Sequence, residues 1–330
     1  QSNHTRPAVP RLDPPQLQQQ QIMKRLSHPP RGAALLAAML TVSLVAMLAT
    51  GAAWQQWRTV EVESTERQHA QAQWLLLGAL DWARVILRED IRSGNPDAPT
   101  DHLAEPWAIP LQEARLSTFL SANSSDDSLA QQVYLSGQIS DLQARMNVSN
   151  LLQGSQIDLK SLQAFERLFE ALNLPNAQLN TLAQGLVAAQ QQKDGAPLMP
   201  QRPSQLTWLG LTPQTLAALA PYITVLPTRT PINLNTASPV VLYANVASLS
   251  LSDAQRLSDQ RAQNPWSSLD AFQKAAGKPV HLDGTHSVNS RFFEVIGRLR
   301  MPATSLVERS VVQRDQVDVK VLWRESGSLQ

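Results

Sequence analysis

The sequence predicts an α+β fold: a long N-terminal helix packed on an antiparallel sheet, with a large all-helical insert. Three observations carry this. An uncharged run from Ala33 to Ala53 passes without proline into an amphipathic stretch that ends near Ser93-Gly94-Asn95-Pro96. Apolar residues between 157 and 192 recur at helical spacing. After Asn289 the pattern changes to period-2 alternation in FFEVIGRL, SLVERSVVQ and VDVKVLW. The 330 residues, 43% of them apolar, suffice for one or two domains with a sizeable core. A net charge of +1 excludes a global field that would draw nucleic acid or an acidic membrane surface. The absence of cysteine excludes disulfides, thiolate catalysis and Cys-ligated metals, and leaves the redox compartment open.

Residues 1–32 read as a disordered region followed by a basic leader. Residues 1–22 are rich in proline and glutamine and too poor in apolar surface to offset their ordering entropy. Met23 precedes the basic Lys24, Arg25 and Arg31, so translation is expected to start there. From Ala33 to Ala53 the run, at about 1.5 Å per residue, matches the roughly 30 Å of a bilayer core and reads as a transmembrane helix. ATGAA at 49–53 keeps a cleaved export signal as the alternative. Basic residues before the run, and Glu61, Glu63 and Glu66 after it, put the N-terminus in the cytoplasm and the bulk of the chain outside.

Residues 54–150 read as the helix continuation and the first part of an α/β domain. Trp74, Leu75, Gly78, Trp82, Val85 and Ile86 form the stripe expected to pack on that domain. Trp54 and Trp57 read as interfacial anchors, with Trp74 as anchor or core. Alternation at Val133, Leu135, Gly137 and Ile139 predicts a strand leading to Asp141. The helical insert is assigned to 151–285. It holds helices broken at Leu174-Pro175-Asn176, a proline-rich link at 195–203 and a helix around 212–221. Asn235-Thr236 is expected to cap a helix containing Val240 to Val246, and Ser252-Asp253 another through Arg261. Residues 286–330 supply the closing strands, with turns at Met301-Pro302 and Asp315-Gln316.

A short basic leader, Gly32 directly before the apolar helix, and a helix running unbroken into an exported domain resemble the class III signal of type IV pilins and pseudopilins. The resemblance implies a pilin-like fold, prepilin peptidase cleavage between Gly32 and Ala33, and methylation of the new N-terminus. Most such proteins carry glutamate five residues into the mature chain, where this one has Ala37. That departure, with ALDWARVILRED at 79–90, DHLAEPWAIPL at 101–111, SGQISDLQARMNVSNLL at 136–152 and PINLNTASPVVL at 231–242, is similar to the general secretion pathway protein K family. These are minor pseudopilins of type II secretion systems. Met146 stands where phenylalanine is usual, a tolerable apolar swap.

The resemblance implies a nonenzymatic protein of the inner membrane, capping the tip of a periplasmic pseudopilus. The implied partners are the minor pseudopilins I, J and H, the major pseudopilin G, the assembly platform and the prepilin peptidase. Relatives also carry an acidic calcium loop in the insert. Here the corresponding LVAAQQQKDGAPLMP leaves Asp194 as its one carboxylate, so no cofactor is expected and a calcium site is lost or weakened.

Four further constellations read as structural. INLNTASPVVLYANVASLSLSDAQRL resembles a helix–hairpin–helix unit, which keeps a membrane-anchored periplasmic DNA-binding protein as the alternative function. Its hairpin, Ala247 to Leu251, has neither glycine nor a basic cluster to hold phosphate. His281, Asp283 and His286 lack a further metal ligand at plausible spacing. Asp101, His102, Glu105 and Trp107 show no nucleophile with a positioned base and read as a capped loop bracing the foot of the long helix. Asp141, Arg145 and Asn147 read as the handover from strand to insert.

Overall fold

The computed structural model describes residues 31–94, 99–118, 132–192, 195–302 and 304–328. Residues 1–30 of the expected leader, and Asp194, lie outside the described residues. The chain divides into two units, residues 1–63 and 64–330.

Helix α1 is continuous over Arg31–Ser93. In the first unit it is the one helix among the described residues that is long and apolar enough to cross a membrane. Its side chains there are exposed, and Thr41, Thr50 and Thr59 return their hydroxyls to the helix's own carbonyls.

In the second unit α1 lies on a five-stranded antiparallel sheet in the order β1 (Leu111–Arg115), β2 (Tyr134–Asp141), β3 (Phe292–Arg300), β4 (Ser305–Asp315) and β5 (Asp318–Ser328). The central pairing joins segments far apart in sequence, from Tyr134↔Arg300 to Asp141↔Phe293. The expected FFEVIGRL, SLVERSVVQ and VDVKVLW strands appear as β3, β4 and β5. Met301-Pro302 lies between β3 and β4, and Gln316, in the left-handed region at φ 54°, lies in the tight turn between β4 and β5.

The buried face of α1 follows the expected stripe only at its edge, where Leu75 and Ile86 pack against the clusters beneath the helix. Ala72 and Leu76 pack with Leu116, Val133, Leu135, Leu299 and Leu306, while Leu80, Ala83 and Leu87 pack with Trp107, Phe293, Val295, Val312 and Val319. Trp74 and Trp82 remain 73% and 65% exposed. Two apolar rows interleave on this helix, and only the Leu/Ala row lets the backbones approach. Leu76 fits against Gly297, where a Cβ would lie 3.1 Å from its Cδ2, and an indole would not fit that gap.

The sheet is interrupted between β2 and β3 by helices α2 (Leu159–Ala171), α3 (Asn176–Gln191), α4 (Pro213–Leu219), α5 (Pro239–Asn245), α6 (Leu251–Gln263) and α7 (Leu269–Ala276). Their core, from Met146 to Val280, is separate from the two clusters beneath α1. Leu142 and Leu226 join it to the sheet's other face at Phe292 and Val311. The insert reaches past its expected limits of 151 and 285. Met146-Asn147 pairs in parallel with Ile223-Thr224, and His286-Ser287 with Ile232-Asn233.

Two caps also differ. Ser238 caps α5, accepting from Val241 N–H, because Pro239 fixes the first helical residue. Ser250 caps α6 in a capping box with Asp253. Asn235 instead ties its loop to Trp266, with Oδ1 accepting from the Trp266 N–H at 2.9 Å and Nδ2 donating to the Trp266 carbonyl at 2.9 Å.

Candidate functional site: the anchor helix and a buried charged junction

At the start of α1, a Cβ on Gly32 would meet nothing within 4 Å. Ala33 and Ala37 are exposed in the following turns. Trp54 and Trp57 lie with ring centroids 5.5 Å apart and planes tilted by 43°, near the end of the apolar run.

At the other end of α1, segments distant in sequence meet in one charged network. Arg314, on the inner face of β4, donates from Nη1 to Asp90 Oδ2 on α1 at 2.9 Å, and from Nη2 to Asp101 Oδ1 and to the Ser290 carbonyl. Its guanidinium lies 4.7 Å from the Phe293 ring centroid. Asp101 Oδ2 accepts from Ser290 N–H at 2.7 Å, and its own N–H donates to the Val288 carbonyl. The DHLAEPW loop thus braces the end of α1, as expected, through an arginine more than two hundred residues away.

Within that loop Glu105 Oε2 accepts from the Trp107 indole N–H at 2.5 Å and from His102 N–H at 3.1 Å. Burial first, and then the charge of Asp90, pushes Glu105 up to about 7. Burial, reinforced by Asp101, also raises Asp90, whereas it lowers His102.

Asp141, at the end of β2, is buried and accepts four hydrogen bonds: from Gln143 N–H (2.7 Å), Asn233 Nδ2 (3.0 Å), Thr236 Oγ1 (2.5 Å) and Ser290 Oγ (2.6 Å). Burial outweighs them and raises it to about 6. Asn147 does the equivalent work one turn on. Its Oδ1 accepts from Ser149 and Leu226 N–H, and its Nδ2 donates to Thr228 O and Thr230 Oγ1. Arg145 lies 3.6 Å from Glu294. The handover from strand to insert is therefore made by polar side chains that stand in for strand pairing.

The HLDGTH residues do not assemble into a ligand set. His281 is exposed, while His286 is buried with Nε2 3.3 Å from the Asn245 carbonyl and Nδ1 3.3 Å from Asp283 N–H. Thr285 holds the Asp283 carboxylate well below its usual range, with Lys160 contributing. In the hairpin between α5 and α6, Val246 and Leu249 are buried, and Ser250 N–H is taken by Asp253. That donor is not directed at a phosphate.

Asp90, Asn233, Ser290 and Arg314 were not singled out from the sequence. The available signal was charge on an inward strand position, since Glu308, Ser310 and Arg314 alternate with outward residues along β4.

These features define an α+β protein whose long N-terminal helix is apolar enough over its first part to cross a membrane and lies, over its second, on an antiparallel sheet divided by a helical insert. Two family models described as type II secretion system protein K match residues 144–228 and 232–288. The chain is 27% identical to type II secretion system protein K of Pseudomonas aeruginosa, over 90% of this chain and 92% of that protein. It is 29% identical to that of Klebsiella pneumoniae, over 88% of this chain and 97% of the relative. In fold it matches a chain of the crystal structure of the GspK-GspI-GspJ complex from enterotoxigenic Escherichia coli. That match has a TM-score of 0.61 and 19% identity, over 80% of this chain and 99% of the other. Along most of its length the chain resembles type II secretion system protein K, as its motifs implied.

Proposed function

We propose that the chain is a minor pseudopilin, held in the inner membrane by residues 33–53, with the bulk of the chain periplasmic, and placed at the tip of a short pseudopilus. The single observation that carries this is α1: one continuous helix, apolar and exposed over its first part, sheet-packed over its second, in a chain that resembles type II secretion system protein K. Prepilin peptidase would cut between Gly32 and Ala33, retaining the apolar helix and exposing an N-terminus for methylation. Ala37 supports the tip position, because a first subunit has no neighbour above it whose terminal amine needs a carboxylate. The bulk of the insert between β2 and β3 supports it too, since further subunits would have no room to stack above.

The minor pseudopilins I and J are the nearest partners in this reading, consistent with the complex named for the matched fold. Minor pseudopilin H and the major pseudopilin G would lie beneath, and the inner-membrane assembly platform would drive growth from below. The role is one of assembly and not of catalysis.

Mass spectrometry of the mature N-terminus, from cells with and without prepilin peptidase, tests this. The expected result is a methylated chain beginning at Ala33 in the first and an uncut chain in the second; cleavage after Ala53 would defeat it.

A further inference from the structure

Over its second half β2 is paired on one side only, to β3. On the other side β1 reaches no further than Leu111, opposite Gly137, and Pro110 has no N–H with which to continue the ladder. Leu116 N–H donates to the Val133 carbonyl across this edge at 2.8 Å. Alternation along the strand therefore turns the N–H and carbonyl of Ile139 to the same side. Among the described residues no hydrogen bond from the neighbouring loop meets either of them.

This open edge lines a cleft of about 270 Å³ between β2, the loop leading out of α1 and the start of α5. Its apolar lining comes from Leu103, Trp107 and Pro110, and Leu103 is 58% exposed. Ile109 and Leu111, on either side of Pro110, are 67% and 40% exposed. The polar lining divides in two. Asp141 is spent on its four donors, Thr236 is one of them, and the Ser238 hydroxyl is taken by Val241 N–H. Gln138, Ser140 and Arg145 are unspent: their side chains make no hydrogen bond among the described residues. The nearest carboxylate to Arg145 is Glu294 at 3.6 Å, which is shared with Arg309 at 3.5 Å.

We propose that this cleft binds an extended acidic segment of another protein, laid as a short strand beside β2 with its backbone on Ile139 and a carboxylate on Arg145. A strand edge offers one donor and one acceptor side by side, and a peptide backbone is the group that returns both. Side chains of an extended segment alternate between its two faces. One set would meet Leu103 and the exposed aliphatics around Pro110. The other would meet Gln138, Ser140 and Arg145, where a planar guanidinium suits a carboxylate. A small anion would satisfy Arg145 alone, leaving the Ile139 backbone and the apolar rim unused. The site does not depend on what α1 assembles with, because no residue of that helix lines it.

Random hexapeptides displayed on phage and panned on the full chain in detergent test this, with each enriched sequence then synthesised and its affinity measured by fluorescence anisotropy. The expected result is enrichment of sequences in which Asp or Glu alternates with apolar residues. Their affinity should fall about tenfold or more in Arg145→Gln, in Leu103→Asp, and when one backbone nitrogen at the centre of the peptide is methylated. It should be unchanged in Trp208→Ser, an exposed residue of the insert. Should Arg145→Gln fail to fold, the exposed Leu103→Asp decides. No enrichment over the unpanned library, peptides indifferent to the variants, or binding that survives every backbone methylation overturns the proposal. Self-association of the chain that Leu103→Asp abolishes would make a second copy the occupant, and overturns it too.

Discussion

Arg314 is the residue on which the junction depends most. It is the one buried cation facing Asp90 and Asp101, and it also satisfies the Leu87 and Ser290 carbonyls. Breaking such a pair costs more than the pair is worth, because the partner charges stay buried. Arg314→Met is expected to lower stability by about 3 to 5 kcal/mol, read as a lower urea midpoint at unchanged slope. Acidification should partly restore it, since protonation removes the stranded charges. The sequence showed Asp101, Glu105, Asp141 and Asn147 as a cluster worth weighing, but not their partners. Arg314 lies between the polar Gln313 and Asp315 near the end of its strand, and what buries it is the end of α1 and the loop 99–108 packed on that face of the sheet, which no local pattern shows.

At the scale of one element, α1 shows how periodicity locates a helix without choosing its buried face. Both the Trp74–Trp82 row and the Leu76–Leu80 row satisfy helical spacing. The choice was made by Gly297 and the strand surface opposite. Leu76→Ala is accordingly expected to cost about 2 to 4 kcal/mol, whereas Trp74→Ser and Trp82→Ser should each change stability by less than about 0.5 kcal/mol. Chemical denaturation of the three variants checks this. On the proposed function, the two tryptophan variants should also lose co-purification with the minor pseudopilins I and J. In the insert, Gly210 closes the turn before α4 at φ +95°, and a Cβ there would lie 2.6 Å from Thr181 Cγ2. Gly210→Ala is expected to destabilise by more than about 1 kcal/mol, seen as a lower melting temperature.

Across the whole molecule the second unit holds two cores. The insert's cluster runs from Met146 to Val280, the clusters beneath α1 draw on none of those residues, and the bridge between them is Leu142, Leu226, Phe292, Val311 and Trp323. Residues 142–290 expressed alone should therefore melt cooperatively as a helical domain; a fragment without a sigmoidal transition would show that the sheet is required.

By itself the sequence determined the apolar anchor, its continuation as a helix, the helices of the insert and the three closing strands. Each of these follows from local spacing and turn residues. Only the tertiary structure decided which face of α1 is buried and that β2 pairs with β3 across the insert. It also decided that one arginine near the C-terminus neutralises two carboxylates near the helix end. Those are set by packing and charge balance between segments far apart in the chain, for which no local pattern exists.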